Sequence, residues 1–364
     1  MTPETHQLVE SVVAAFARGE IVVVADDDDR ENEGDLFVAA SACTPEKMAF
    51  IIRHTSGIVC APLAPDQAKR LHLDPMVALN DAPLGTAFTV SVDVKHGLTT
   101  GISAEERTNT VRALANGNSG AADFVRPGHV FPLVARQGGV LMRSGHTEAC
   151  VDLCRLAGLP SVGVLAELMN DDGTVMRGAD VAAFAARHNL KRITIADLIA
   201  YRQAREKLVD RIAEFSVKTE IGPLQGYAYM THFDQVHHVA VVHGRIGDGR
   251  DVPTRLHRAN LIRDIFGGGN SIQKVLRRFK RDGRGVMVLL RDGSVGVPVS
   301  AIPKNGEQAS EAERQRQWRE IGLGAQILKD LGISSIRLLT SAEHRYVGLA
   351  GFGIEIVATE PIED

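Results

Sequence analysis

A chain of 364 residues exceeds one ordinary domain, so two are expected. It is 44% hydrophobic and 24% charged with 35 glycines, a balance suited to a soluble α/β protein. A formal net charge of -4 and a pI near 6.4 exclude a nucleic-acid binder that works by bulk charge. No uncharged apolar run approaches the roughly 20 residues of a membrane span, so no membrane association is expected.

Near the start, Val9 to Ala17 has the spacing of an amphipathic helix stopped by Gly19. The apolar run Ile21 to Val24 follows as a buried strand and delivers an acidic turn, Asp26-Asp27-Asp28-Asp29-Arg30-Glu31-Asn32-Glu33-Gly34-Asp35. Seven of these ten side chains are carboxylates, and crowding that much like charge is unfavourable without a compensating cation. The turn is therefore either a solvated loop or a cation site. A calcium loop is excluded: with Asp29 at the first position, Gly34 falls correctly but Ala40 stands where a bidentate Glu is required. Magnesium, which takes few protein carboxylates, remains open, and manganese would also accept a histidine.

Thr44 caps a helix that begins at Pro45 and places Met48, Ile51 and Ile52 on one face. Gly57 to Ala61 predicts a short strand, Asp66 to Leu73 a short helix, and Ala87 to Val92 a half-buried strand. Ser103 caps a helix over Ala104 to Ala115. Arg126 to Pro132, with its two prolines, predicts a rigid loop that would fix His129. Arg143-Ser144-Gly145-His146-Thr147-Glu148 leads into a helix over Ala149 to Ala157. A glycine before a helix start lets backbone N–H groups approach an anion, so this is either a phosphate cradle or an ordinary cap. Ser161 to Leu168 is a strand with Glu167 near its end, where partial burial would raise a carboxylate toward acid/base duty, unless it simply faces water. Asp180 to His188 is a further helix, and Ala196 to Arg211 a long polar one suited to linking two domains.

Four cysteines, Cys43, Cys60, Cys150 and Cys154, lie in the first part of the chain and do not read as a disulfide framework. With no basic-then-apolar leader after Met1, the expected home is a reducing cytoplasm. Beyond residue 212 the pattern restarts: antiparallel strands at Tyr227–Met230, Val239–Val242 and Val252, a helix at Ser271–Phe279, a strand at Gly285–Leu290, a helix at Gly324–Gly332 and a strand at Ile336–Thr340. Pro303 to Glu313 predicts a mobile loop. Both halves are layered α/β.

Taken together and in order, the acidic turn, Arg53–Cys60, Thr99–Ser103, Arg126–Pro132, Arg143–Glu148 and Glu167–Gly173 closely resemble 3,4-dihydroxy-2-butanone-4-phosphate synthase of riboflavin biosynthesis. The resemblance covers roughly residues 6 to 203 and implies that family's fold for a domain spanning 1–205. It implies conversion of ribulose 5-phosphate to the four-carbon phosphate and formate with Mg2+ or Mn2+, in a homodimer. By position it implies Glu31 and His146 as metal ligands, with His129 and Glu167 in proton transfer. Arg30, Glu31, Asp35, Arg143, Ser144, Gly145, His146, Thr147 and Glu167 would hold substrate. Ala166 departs from the cysteine common in the family, without expected effect on the chemistry.

Residues 206–364 resemble GTP cyclohydrolase II, most clearly at Val252–His257, Gly324–Leu328 and Ile336–Thr340. That family binds zinc through three cysteines, and aligning on Asp264-Ile265-Phe266-Gly267 puts Asn260, Ser271 and Gln273 in their places. No cysteine follows Cys154, so no zinc is expected there. Gln317 replaces the family's catalytic aspartate, Ile321 a usual aromatic, and Asp292–Pro298 a glycine- and charge-rich loop, while Arg319 remains. The expectation is a retained fold without GTP hydrolysis, serving dimer contact, stabilisation or ligand sensing. The alternatives are a bifunctional enzyme that keeps GTP cyclohydrolase II activity, or a regulatory protein built from two relict domains.

Overall fold

The structure, a computed structural model, describes residues 3–26, 32–82, 85–232, 236–259, 264, 271–291, 322–340 and 353–362. Contacts divide the chain into Thr2–Tyr201 and Arg202–Asp364, with the division inside the helix Ile195–Arg205. Among the described residues no helix is long and apolar enough to cross a membrane.

In the first unit, β1 (Val22–Ala25), β2 (Gly34–Ala39), β3 (Cys60–Leu63), β4 (Val92–Val94), β5 (Phe124–Val134), β6 (Gly163–Glu167) and β7 (Lys191–Thr194) form one sheet in the order β4-β5-β3-β6-β2-β1-β7. β1/β7 and β3/β5 are parallel pairs, and the others are antiparallel. The helices are α1 (Pro3–Ala17), α2 (Pro45–His54), α3 (Pro65–Arg70), α4 (Ala104–Ala115), α5 (His146–Leu156), α6 (Gly178–Arg187) and α7 (Ile195–Arg205). Along β1 and β2, Val23, Leu36 and Val38 share a core with Met48 and Ile51 of α2, Val111 and Leu114 of α4, and Val181 and Phe184 of α6. Val22, Val24 and Phe37 are also fully buried, and strand alternation turns them to the opposite face. There α1 and α5 contact one another and the strands, completing three layers. A sheet covered on both sides explains why its strands read as continuous apolar runs.

Both caps are as expected: Thr44 accepts from the Lys47 N–H and Ser103 from the Glu106 N–H. Several boundaries differ. Arg126 to Pro132 is not a loop but part of the long strand β5. Its prolines are tolerated because Pro132 contributes its carbonyl, which accepts from the Thr89 N–H. Pro127 lies in a bulge: Val92 faces Val130 while Asp93 faces Val125, so 126–129 loop out of the ladder. The strand expected at Ala87–Val92 is replaced by isolated bridges at Phe88 and Thr89, then β4. α5 starts at His146 rather than Ala149, which puts His146, Thr147 and Glu148 in its first turn. The long linking helix ends at Arg205, because β8 begins at Val209 and pairs with β9.

The second unit holds β8 (Val209–Thr219), β9 (Gly222–Thr231), β10 (His237–His243), β11 (Val252–Arg258), β12 (Gly285–Leu290), β13 (Ser335–Thr340) and β14 (Glu355–Pro361), in the order β14-β13-β11-β12-β10-β9-β8. β11, expected to be antiparallel, instead pairs parallel with β12 and β13, since the helix Ser271–Asp282 lies between β11 and β12 in the chain and makes the crossover. That helix buries Val275, Leu276 and Phe279 against Leu224, Val241 and Met287. A second helix over 322–330 buries Leu323, Ala325, Ile327 and Leu328. Tyr229 on β9 donates its hydroxyl to Asp330 at 2.8 Å. Pro303 to Glu313 lies outside the described residues.

Candidate active site

The acidic turn is the connection of a β-hairpin, since Ala25 pairs with Gly34 and Val24 with Asp35. Its described carboxylates, Asp26, Glu33 and Asp35, divide by role. Asp26 closes the turn, its Oδ1 accepting the Glu33 N–H at 2.8 Å, and Glu33 pairs with Arg177 at 3.1 Å. Asp35 instead is buried at the start of β2. Arg30 and Glu31, named for substrate and metal, lie outside the described residues.

Sheet register lines up three of the expected residues. Cys60 on β3 is opposite Phe131 on β5 and Leu165 on β6. Toward the same end of these strands stand His129 on β5 and Glu167 on β6, and Glu167 is opposite Asp35 on β2. With strands about 5 Å apart, Asp35 and Glu167 are neighbours, and His129 lies roughly 10 Å of sheet away from Glu167. Burial, followed by the charges of Glu167 and Asp35, pushes the Cys60 thiol up, as expected for a thiol under two carboxylates. Glu167 is half-buried, and its Oε2 accepts from the Ser56 hydroxyl at 2.8 Å.

α5 brings the fourth residue. His146, its first residue, is buried, and its Nδ1 lies 4.0 Å from Asp35 Oδ2. Phe37 meets the His146 ring edge-on at 6.1 Å between centroids. Just before the helix, Arg143 is pinned: its Nη1 donates to Glu148 at 2.7 Å and its Nη2 to Thr86 at 3.1 Å. Glu148 is itself buried and its other oxygen accepts the Arg136 N–H at 2.9 Å. Gly145 leaves room for this pair, because a Cβ would stand 2.2 Å from Arg143 Nη1 and 2.7 Å from Glu148 Oε2 and would displace them. By helix geometry the N–H groups of the first turn of α5 have no intrahelical acceptor, so those of His146 and Thr147 form a positive rim beside Arg143 and Ser144, while the Gly145 N–H donates to the Arg143 carbonyl at 2.9 Å.

A divalent cation fits this chemistry. A buried imidazole and a buried carboxylate face each other at 4.0 Å beside an acidic hairpin, a donor set of oxygen and nitrogen suited to magnesium or manganese. Among the described residues no group of three or more His, Cys, Asp and Glu is placed to hold a metal. Glu31, the carboxylate expected to share the ion with His146, falls outside them. The four cysteines are free and buried, and Cys150 packs so tightly on Gly163 that a Cβ there would reach its sulfur at 2.2 Å. They are core residues.

Sequence reasoning missed Asp93, Ser56 and Glu148. Asp93 is 2% exposed between Val92 and Val94, and a carboxylate buried in an apolar strand was itself the available signal. Its Oδ2 lies 2.7 Å from His129 Nδ1.

Residues 10–201 match the family profile described as 3,4-dihydroxy-2-butanone 4-phosphate synthase, and residues 210–361 match that of GTP cyclohydrolase II. The chain belongs to the 3,4-dihydroxy-2-butanone 4-phosphate synthase family. It is a synthase of riboflavin biosynthesis carrying a fused GTP cyclohydrolase II-like domain, and both units have the expected α/β folds. Two curated relatives from Arabidopsis thaliana are each 45% identical. One is the bifunctional riboflavin biosynthesis protein RIBA 1, aligned over 99% of this chain and 70% of its own length. The other is the monofunctional riboflavin biosynthesis protein RIBA 2, aligned over 97% and 76%. Among solved structures, RibBX from A. baumannii, a two-domain 3,4-dihydroxy-2-butanone 4-phosphate synthase, is 36% identical with a TM-score of 0.79, covering 96% of this chain and 99% of its own. A synthase in complex with two magnesium ions is 48% identical with a TM-score of 0.53, covering 54% of this chain and 97% of its own.

In the second unit, Ser271 and Gln273, expected from the sequence to stand in the places of two zinc-binding cysteines, open the helix Ser271–Asp282. Asn260, Gln317, Arg319, Ile321 and the stretch 292–298 lie outside the described residues. A buried His257 contacts Asp264 at 3.0 Å.

Proposed function

We propose that the synthase unit converts D-ribulose 5-phosphate to L-3,4-dihydroxy-2-butanone 4-phosphate and formate at the site around Asp35, His129, His146 and Glu167. The observation that carries this reading is the buried His146–Asp35 contact at the end of the sheet that also presents Glu167. Glu31 and His146 would hold Mg2+ or Mn2+, and the relative solved with magnesium supports that assignment. When bound, the cation supplies Lewis-acid stabilisation of negative charge developing on the substrate oxygens. Arg143, fixed by Glu148, and the amides of His146 and Thr147 bind the phosphate, with Gly145 lining its approach and Ser144 adding a hydroxyl. Arg30, Glu31, Asp35 and Glu167 contact the sugar hydroxyls. His129 and Glu167 move the protons that an enediol and its rearrangement require. Turnover of ribulose 5-phosphate tests the assignment: Glu31→Ala and His146→Ala each remove it, and unimpaired turnover in either variant contradicts the site.

The second domain, taken as 206–364 against 1–205 for the synthase, is proposed to lack GTP cyclohydrolase II activity. Overall identity does not discriminate, being 45% to relatives named bifunctional and monofunctional alike. The decisive feature is chemical: no cysteine follows Cys154, and no thiolate can then bind zinc. The two-domain relative described as a synthase alone supports the same reading. We place the protein in a reducing cytoplasm as a homodimer, in keeping with its free, buried cysteines and its family.

A further inference from the structure

Glu167 is held from the flank that faces away from Asp35. Where α2 ends, residues 54–56 run antiparallel to 167–169. Thr55 bridges Leu168, the Ser56 N–H donates to the Glu167 carbonyl at 2.9 Å, and the Met169 N–H donates to the His54 carbonyl at 3.2 Å. Ser56 is therefore opposite Glu167 on one flank, as Asp35 of β2 is on the other. Residues directly opposite in a ladder turn their side chains to the same face. Ser56, Glu167 and Asp35 thus form a row, with His146 beyond it at 4.0 Å from Asp35.

The Ser56 hydroxyl has a single proton, and its direction is set. The Ile58 N–H donates to Ser56 Oγ at 3.3 Å and occupies a lone pair, while Oγ donates to Glu167 Oε2 at 2.8 Å. The turn that carries Ser56 is fixed on both sides. Thr55 Oγ1 donates to the Ile51 carbonyl at 2.7 Å and accepts the Gly57 N–H at 3.2 Å. From α4, the buried Arg107 donates to the Gly57 carbonyl at 2.9 Å. Two carboxylates opposite one another in a ladder repel, so a donor on the outer flank of Glu167 draws Oε2 away from Asp35.

We infer that Ser56 is a positioning residue for Glu167: its hydroxyl holds Oε2 on the outer flank, so that Oε1 is the oxygen that takes up and returns a proton during turnover. The inference rests on the proton-transfer role proposed for Glu167. The transfer balances within the chain. Oε1 takes the proton leaving a substrate carbon or hydroxyl, and the carboxylate becomes a neutral acid that still accepts from Ser56 at Oε2. The proton later returns from Oε1 to the substrate. Without the hydroxyl the carboxylate turns about its broad terminal torsion and spreads over orientations of which few suit the transfer.

Ser56 is exposed, so replacing it leaves the apolar core untouched and reads on catalysis. Ser56→Ala is expected to lower kcat by about 5- to 30-fold, with KM within about twofold and the thermal unfolding midpoint unchanged. Ser56→Thr keeps a hydroxyl at the same place and holds kcat within about threefold of wild type. On a Glu167→Gln background, Ser56→Ala lowers kcat no further, which a role in substrate binding or in the fold would not give. A loss smaller than about fivefold in Ser56→Ala, while Glu167→Gln loses turnover, overturns the inference. So does a Ser56→Thr enzyme as slow as Ser56→Ala, or losses that multiply in the double variant. A fully active Glu167→Gln would instead overturn the role proposed for Glu167 itself.

Discussion

The two units are built to similar plans and differ in what stands at the ends of their strands. Each has a seven-stranded mixed sheet packed with helices. In the first, strand ends and a helix start converge on Asp35, Glu167 and His146, with buried partners behind them. In the second, Ser271 and Gln273, which we propose stand where thiolate ligands would be, lie at the head of a helix. Apolar cores such as Val275, Leu276 and Phe279 hold a fold together whether or not the chemistry survives. A fold outlasts its ligands, because a few polar residues can be lost without touching the apolar area that stabilises it.

Substitutions in the first unit should therefore change catalysis, and those in the second should change stability alone. The largest effect is expected at Glu167. Replacing it by Gln keeps the shape but removes the proton acceptor, lowering kcat by about 10²–10⁴-fold while the thermal unfolding midpoint stays put. A kcat within threefold of wild type would remove Glu167 from the chemistry.

The next effect lies in the second unit and depends on pH. Burial, followed by the charges of Arg291 and His237, pushes His238 down to about 4, and its Nδ1 accepts the Arg291 N–H at 3.1 Å. The folded state keeps this ring neutral, so the unfolded chain binds more protons between the two values. Stability is complete above about pH 6.5 and is lost as pH falls toward 4, by about 3 kcal/mol. Denaturant unfolding across that range should show this slope in the wild type and lose it in His238→Gln. Equal slopes would contradict the buried neutral imidazole.

Arg143→Ala should raise KM for ribulose 5-phosphate by about 10- to 100-fold, the worth of roughly 1.5–3 kcal/mol for a charged hydrogen bond. An unchanged KM would place the phosphate elsewhere. The smallest effect is expected for Tyr229→Phe, which removes the hydroxyl bonded to Asp330. Arg211 still pairs with that carboxylate at 2.6 Å, so the cost is about 1 kcal/mol of unfolding free energy, with synthase turnover unchanged. A loss of turnover there would show that the second unit takes part in the chemistry.

Much of this contrast was legible in the sequence, for identifiable reasons. The caps at Thr44 and Ser103 and the apolar runs at β1 and β12 follow local rules that tertiary contacts only reinforce. β5 was not legible because two prolines signal a loop unless the bulge and the carbonyl acceptor at Pro132 are known. β8 was hidden for another reason. It is mostly exposed, so it lacks apolar alternation, and the Arg202–Glu206 pair four residues apart prolongs a helical look. In the site, residues in motifs could be named, but their supports could not. Asp93 reaches His129 through a register shift, and Glu148 reaches Arg143 only because α5 starts at His146. Such partners are set by where elements meet rather than by spacing along the chain.

The claim that one unit works and the other has kept only its fold is tested most directly by giving the purified full chain each substrate separately. Formate cannot discriminate, since both families release it, so the organic product is followed. With ribulose 5-phosphate and magnesium the expected product is the four-carbon phosphate, and with GTP and added zinc no pyrimidine product forms. A GTP-dependent pyrimidine product, with zinc retained by the protein, would contradict the account.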